Sequence, residues 1–116
     1  MAYKEFSEFK RTRTSSKLPM LRIQKNGTLR FNLKCQSFFE NQKFAIFLFD
    51  KECNKIGIRP TNEDSYNVFN VRRGQKYNDI SISATHFLRY YKIEFGQLRS
   101  LLCSFNETEK IIEVQL

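Results

Sequence analysis

From Met20 onward, apolar and polar residues alternate in short runs. Leu21 and Ile23 alternate with Arg22 and Gln24, and then Leu29 and Phe31 with Thr28 and Arg30. Period two of this kind predicts two half-buried strands. Asn26-Gly27 between them is a favoured hairpin dipeptide and predicts a two-residue turn. Asn32 is a good N-cap for a short helix over 33–40, with Cys35, Phe38 and Phe39 on one side. Phe44 to Phe49 is apolar at every position, which predicts a strand covered on both faces. Residues 50–55 read as a turn, Ile56 to Ile58 as a strand stopping at Arg59-Pro60, and 61–66 as a polar linker.

The second half uses similar parts. Asn67 to Val71 predicts a strand, followed by the basic string Arg72-Arg73-Gly74-Gln75-Lys76. Ile80 and Ile82 alternate with Ser81, and Ser83 is placed to cap a helix. Ala84, Phe87, Leu88 and Tyr91 fall at i, i+3, i+4 and i+7, one helix face. Leu98 to Phe105 and Ile111 to Leu116 read as strands around a turn at 106–109.

Each half therefore runs strand, polar cap, short helix, long apolar strand, turn, final strand. The offset is 51 residues at the caps and near 55 at the final turns. A unit of this size leaves one face of its sheet uncovered, and two units close the gap. The expected fold is a β-rich α+β domain in which a duplicated strand–helix–hairpin unit forms a small pseudo-two-fold β-barrel. Residues 1–19 are expected to be a flexible basic arm. Residues 20–116 are expected to form one domain of two repeats, about 20–60 and 67–116.

Charge adds a class of partner. The 116 residues carry 20 Lys and Arg against 12 Asp and Glu, a formal +8, which makes polyanions the first partners to consider. Residues 1–25 hold seven bases and two acids. That concentration fits a solvated leader and equally an arm laid along phosphates. Phe6 and Phe9 lie within it, as base-stacking groups or as anchors for a protein partner.

Other chemistry finds little support. Cys35, Cys53 and Cys103 have no paired spacing, which predicts neither a zinc site nor a disulfide framework and fits free thiols in a reducing cytoplasm. His86 is the one histidine and falls off the apolar helix face, so no nucleophile–base pair is evident. Close carboxylates sit in the arm, the turns and the linker. The four glycines are isolated, so no phosphate-cradling loop is expected. No apolar run approaches the roughly 20 residues that span a bilayer, and no apolar leader follows the basic start. No enzyme activity, metal, cofactor or membrane association is expected.

Residues Leu21-Arg22-Ile23-Gln24-Lys25-Asn26-Gly27-Thr28-Leu29-Arg30-Phe31-Asn32 resemble the opening of AbrB-like and MraZ-like transcription factors. Phe44 to Leu48 with Ile56-Gly57-Ile58-Arg59-Pro60 is similar to their closing hairpin. The resemblance covers about residues 20–60 and, more weakly, 67–116. It implies a swapped-hairpin or cradle-loop barrel that binds DNA through basic residues near the first turn and helix. On that basis Arg22, Lys25, Arg30 and Lys34 form the first half's site, and Arg72, Arg73 and Lys76 the second half's. The arm adds Lys10, Arg11, Arg13 and Lys17. The helix starts differ from the family pattern: Leu33 and Ala84 stand where it usually has proline, and the first helix carries only Lys34. The expected function is binding of DNA, rather than RNA, by a cytoplasmic transcriptional regulator. A protein-interaction or assembly module using the arm and a sheet edge is the alternative, and homo-oligomerisation is compatible with both.

Overall fold

The computed structural model describes residues 18–74 and 79–116. Nine strands form one antiparallel sheet: β1 (Met20–Ile23), β2 (Thr28–Phe31), β3 (Phe44–Asp50), β4 (Lys55–Thr61), β5 (Phe69–Asn70), β6 (Arg72–Arg73), β7 (Ile80–Ser83), β8 (Arg99–Asn106) and β9 (Ile111–Gln115). Their lateral order is β5-β3-β4-β9-β8-β1-β2-β7-β6. The two end strands are consecutive in the chain, separated only by Val71. Asn70 pairs with Phe44 of β3, the Val71 N–H donates to the Lys43 carbonyl at 2.9 Å, and Arg72 pairs with Ser81 of β7. One short segment thus touches both ends of the sheet and curls it into a nearly closed barrel.

Alternation explains what fills the barrel. Leu21, Ile23, Leu29, Phe31, Ile56, Ile58, Ile80, Ile82, Ile112 and Val114 are all essentially without solvent exposure. Each is flanked along its strand by residues of the opposite, outward parity. Two short helices plug the barrel. A 3-10 turn at Leu33–Cys35 runs into α1 (Gln36–Phe39), burying Cys35 and Phe39, and Phe39 meets Phe31 edge-on at 4.9 Å. Helix α2 (Thr85–Tyr90) buries Phe87 and Leu88, with Ala84 and Tyr91 at its two ends packed on the same core. The expected apolar face is therefore the one used. Among the described residues, no helix is long and apolar enough to cross a membrane.

Several local expectations are corrected. The first turn has three residues, not two. Gln24 accepts from Gly27 N–H and donates to the Thr28 carbonyl, both at 2.9 Å, with Gly27 at φ +89°. That is a turn closed by a glycine bulge. Asn32 does not cap its helix with its side chain. Its Oδ1 accepts from Met20 N–H and its Nδ2 donates to the Leu18 carbonyl, tying the chain's entry to β2. Ser83 ends β7, and Ala84 is the N-cap of α2, without a side-chain bond.

The long strands also differ. Strand β3 is not covered on both faces: Ala45 is buried and Phe47 and Phe49 pack on Phe69, Phe87 and Tyr91, while Leu48 faces outward, 38% exposed. Strand β4 runs through Arg59-Pro60 to Thr61, pairing with β3 along its length.

Gly27 is fixed by two constraints. A Cβ there would lie 2.6 Å from Thr85 Oγ1 and 3.1 Å from Thr85 Cα, and φ is left-handed. The Gly27 carbonyl also accepts from Ala84 N–H, and Thr85 Oγ1 donates to the Asn26 carbonyl. Gly27→Ala is expected to cost roughly 1–3 kcal/mol of unfolding free energy, read as a lower urea midpoint at unchanged slope. Ile82→Ala, at a fully enclosed position, is expected to cost roughly 2–5 kcal/mol by the same measurement.

Candidate nucleic-acid interface

Strand register brings three of the expected arginines into one line. Arg72 pairs with Ser81, Ser81 with Arg30, Arg30 with Arg22, and Arg22 with Ser100. The line crosses β6, β7, β2, β1 and β8 at right angles to the strands. Its parity is opposite to that of the core residues, so it lies on the outer face. Arg22, Arg30, Arg72 and Ser100 are exposed and Ser81 is half-buried. With neighbouring strands about 4.8 Å apart, Arg72 and Arg22 sit three steps, or about 14 Å, apart at their backbones. An open concavity of about 400 Å3 lies at the β2–β1–β8 end of the line, with Met20, Arg22, Arg30, Asn32 and Ser100 among its lining residues.

Carboxylates are sparse on this face. Strands β1, β2, β6 and β7 contain four arginines and no acidic residue. Five acids gather instead at the far hairpins: Asp50, Glu52, Glu107, Glu109 and Glu113. There Lys55 pairs with Glu113 at 3.4 Å and Arg59 with Glu109 at 4.0 Å. The far hairpins are thus close to neutral, whereas the strands of the arginine line hold no acid. Among the described residues, one carboxylate reaches the line: Asp79, immediately before β7, is ion-paired with Arg30.

The remaining expected residues divide. Lys25 is exposed in the β1–β2 turn, and Lys34 is exposed in the 3-10 turn, so each flanks the line without joining it. Arg73 points away from it. Its backbone partner is the core residue Ile80, and its guanidinium donates to the Gln42 carbonyl at 2.7 Å. Lys10, Arg11, Arg13, Lys17 and Lys76 lie outside the described residues, as do Phe6 and Phe9. Ser81, Ser100 and Asp79 join the site without having been singled out, because only the register reveals them as neighbours of arginines.

Residues considered for other chemistry are placed as follows. His86 is exposed on α2. Among the described residues, no group of three or more His, Cys, Asp or Glu is arranged to hold a metal ion. All three cysteines are free thiols, with Cys35 and Cys103 buried and Cys53 exposed. The Cys103 thiol is pushed up by its hydrogen bond with Cys35 and then by burial. The same bond lowers Cys35, but both thiols are buried and Cys53 alone is exposed, so Ellman's reagent at neutral pH is expected to titrate one thiol rapidly in the native protein and all three after unfolding. The Cys53→Ser variant is expected to lose the rapid phase.

No family model, curated protein or solved structure matches the chain.

Proposed function

We propose that this chain binds nucleic acid, duplex DNA in preference to RNA, through the arginine line on its outer face. The observation that carries this reading is the register Arg72–Ser81–Arg30–Arg22–Ser100 on strands that hold no acid. Guanidinium groups bind phosphate oxygens in bidentate fashion, and serine hydroxyls donate to them as well. The spread of about 14 Å between Arg22 and Arg72 is comparable with the roughly 12 Å width of the major groove. Those two residues are therefore spaced to reach the phosphate backbones flanking one groove. Lys25 and the arm residues Lys10, Arg11, Arg13 and Lys17 extend the basic surface in this reading. It assigns the protein no catalysis, and it places it among cytoplasmic transcriptional regulators of AbrB-like or MraZ-like design.

The same reading takes the barrel as a duplicated unit with pseudo-two-fold symmetry. The strand pairing supports it. Exchanging β1 with the β5–β6 segment, β2 with β7, β3 with β8 and β4 with β9 converts the set of pairings into itself. A helix follows β2 and another follows β7. The two closing turns agree in detail at an offset of 56. Asp50 Oδ1 accepts from Glu52 and Cys53 N–H, and Asn106 Oδ1 accepts from Thr108 and Glu109 N–H. Asn54 and Lys110 both take left-handed φ, 55° and 58°. Donation from Cys53 N–H holds the Asp50 carboxyl below the usual carboxylate range. Its ionised form therefore supports its turn at neutral pH, and that support is lost as the pH falls through the lowered range. The Asn106 turn has no such dependence. Asp50→Asn is accordingly expected to keep the fold, shift Tm by no more than a few degrees at pH 7, and flatten the acid side of the stability profile.

One observation favours the protein-interaction reading. Pairing on the β5 side of β3 ends at Ala45, leaving Ile46–Asp50 as a sheet edge. Main-chain docking of an extended peptide there is a known mode of recognition. Changing Phe6 and Phe9 to Ala separates the readings: loss of a protein partner with DNA binding intact supports the alternative.

The test of the main reading is duplex binding followed by fluorescence anisotropy across a salt series. Binding is expected to weaken steeply from 50 to 200 mM salt. Arg22→Ala and Arg72→Ala are each expected to reduce the salt slope by about 0.9, equal to a roughly 3–4-fold smaller loss over that range. Absence of binding to any DNA or RNA at low salt overturns the reading.

A further inference from the structure

Within the arginine line the three guanidinium groups are not equivalent. Arg22 and Arg72 have no ion pair or side-chain hydrogen bond within the described structure. Arg30, between them, is paired with Asp79. The pair is built in rather than incidental. Asp79 is placed by the first pairing of β7, and its carbonyl accepts from Gly74 N–H at 2.8 Å. Its carboxylate occupies the space where a Cβ on residue 74 would stand. The Asp79 side chain is 25% exposed and that of Arg30 48%, so the contact faces the same solvent that a ligand would enter.

We infer that Asp79 is an internal substitute for a ligand phosphate: it neutralises Arg30 in the free protein and is displaced when a dense polyanion docks. This deepens, and rests on, the nucleic-acid reading. A phosphate that takes Arg30 from Asp79 frees one carboxylate for each phosphate neutralised, so the pair contributes little to the salt slope, whereas an unpaired arginine releases a condensed cation from the DNA and contributes about 0.9. Asp79 thereby sets which anions the face accepts. An isolated phosphate competes poorly with a carboxylate already in place. A nucleic-acid backbone succeeds because Arg22 and Arg72 anchor neighbouring phosphates and raise the effective concentration at Arg30.

The test is a double-mutant cycle on the full chain, using Asp79→Asn, Arg30→Gln and both together, with duplex DNA across a salt series. Asp79→Asn is expected to bind several-fold more tightly at 50 mM salt, with a slope steeper by about 0.9. In the Arg30→Gln background the same change is expected to leave the slope unaltered. Gly74→Ala supplies an independent route, because its methyl group displaces the Asp79 carboxylate while leaving the charge. It is expected to raise low-salt affinity in the same direction, with thermal unfolding confirming that each variant is folded. Equal effects of Asp79→Asn with and without Arg30 mean that Asp79 acts only through net charge, and they overturn the inference while the nucleic-acid reading stands. If neither the wild type nor any variant binds duplex DNA, both are overturned.

Discussion

Closure of the sheet at Val71 is the constraint on which the rest of the structure depends. Strands β5 and β6 have two residues each, yet they join β3 to β7 through one turn of chain. An open sheet of this length would expose two edges to other chains. Joining its ends removes most of that exposure and gives the alternating Ile, Leu and Phe residues a common interior. Closure also fixes the order of strands around the barrel, and with it the side on which each charged strand lies.

The electrostatic asymmetry follows from that order. Strands β8, β1, β2, β7 and β6 hold no acid and are consecutive lateral neighbours, while the two strands that carry one, β3 and β9, lie outside that run. Half of the described carboxylates, Asp50, Glu52, Glu107, Glu109 and Glu113, lie at the β3–β4 and β8–β9 hairpins, where lysine and arginine partner some of them. Exposed pairs of this kind add roughly 0–1 kcal/mol each to stability. Their larger effect is to bring the hairpin side close to neutral, while Arg22 and Arg72 keep no acidic partner among the described residues. Arginines aligned over about 14 Å favour an extended polyanion over an isolated anion.

Much of the fold is legible in the sequence, because burial follows alternation. The pairs Leu21 and Ile23, Leu29 and Phe31, and Ile80 and Ile82 are period-two residues that the structure buries completely. The helix face of Ala84, Phe87, Leu88 and Tyr91 is likewise the one packed on the core. Legibility fails where a polar side chain has several partners available. Asn32 has the chemistry of a cap but spends its amide on Met20 and Leu18. It fails again where two residues suffice for a strand, as at the closure. Individual basic residues of the candidate site were visible, but their grouping was not. Register depends on long-range pairing, so neither the alignment of Arg72, Arg30 and Arg22 nor the presence of Ser81 and Asp79 beside them leaves a local trace. Parity separates Arg72 from its neighbour Arg73, which turns toward Gln42.

In the proposed reading, nucleic acid binds the β6–β7–β2–β1 face. The most direct measurement is the pattern of backbone amide shifts when the labelled protein is titrated with a short duplex. Binding there is expected to concentrate the shifts at Arg22, Arg30, Arg72, Ser81 and Ser100, with the β4–β9 side unmoved. Shifts confined to β4 and β9, or to α2 around Tyr90, would contradict it.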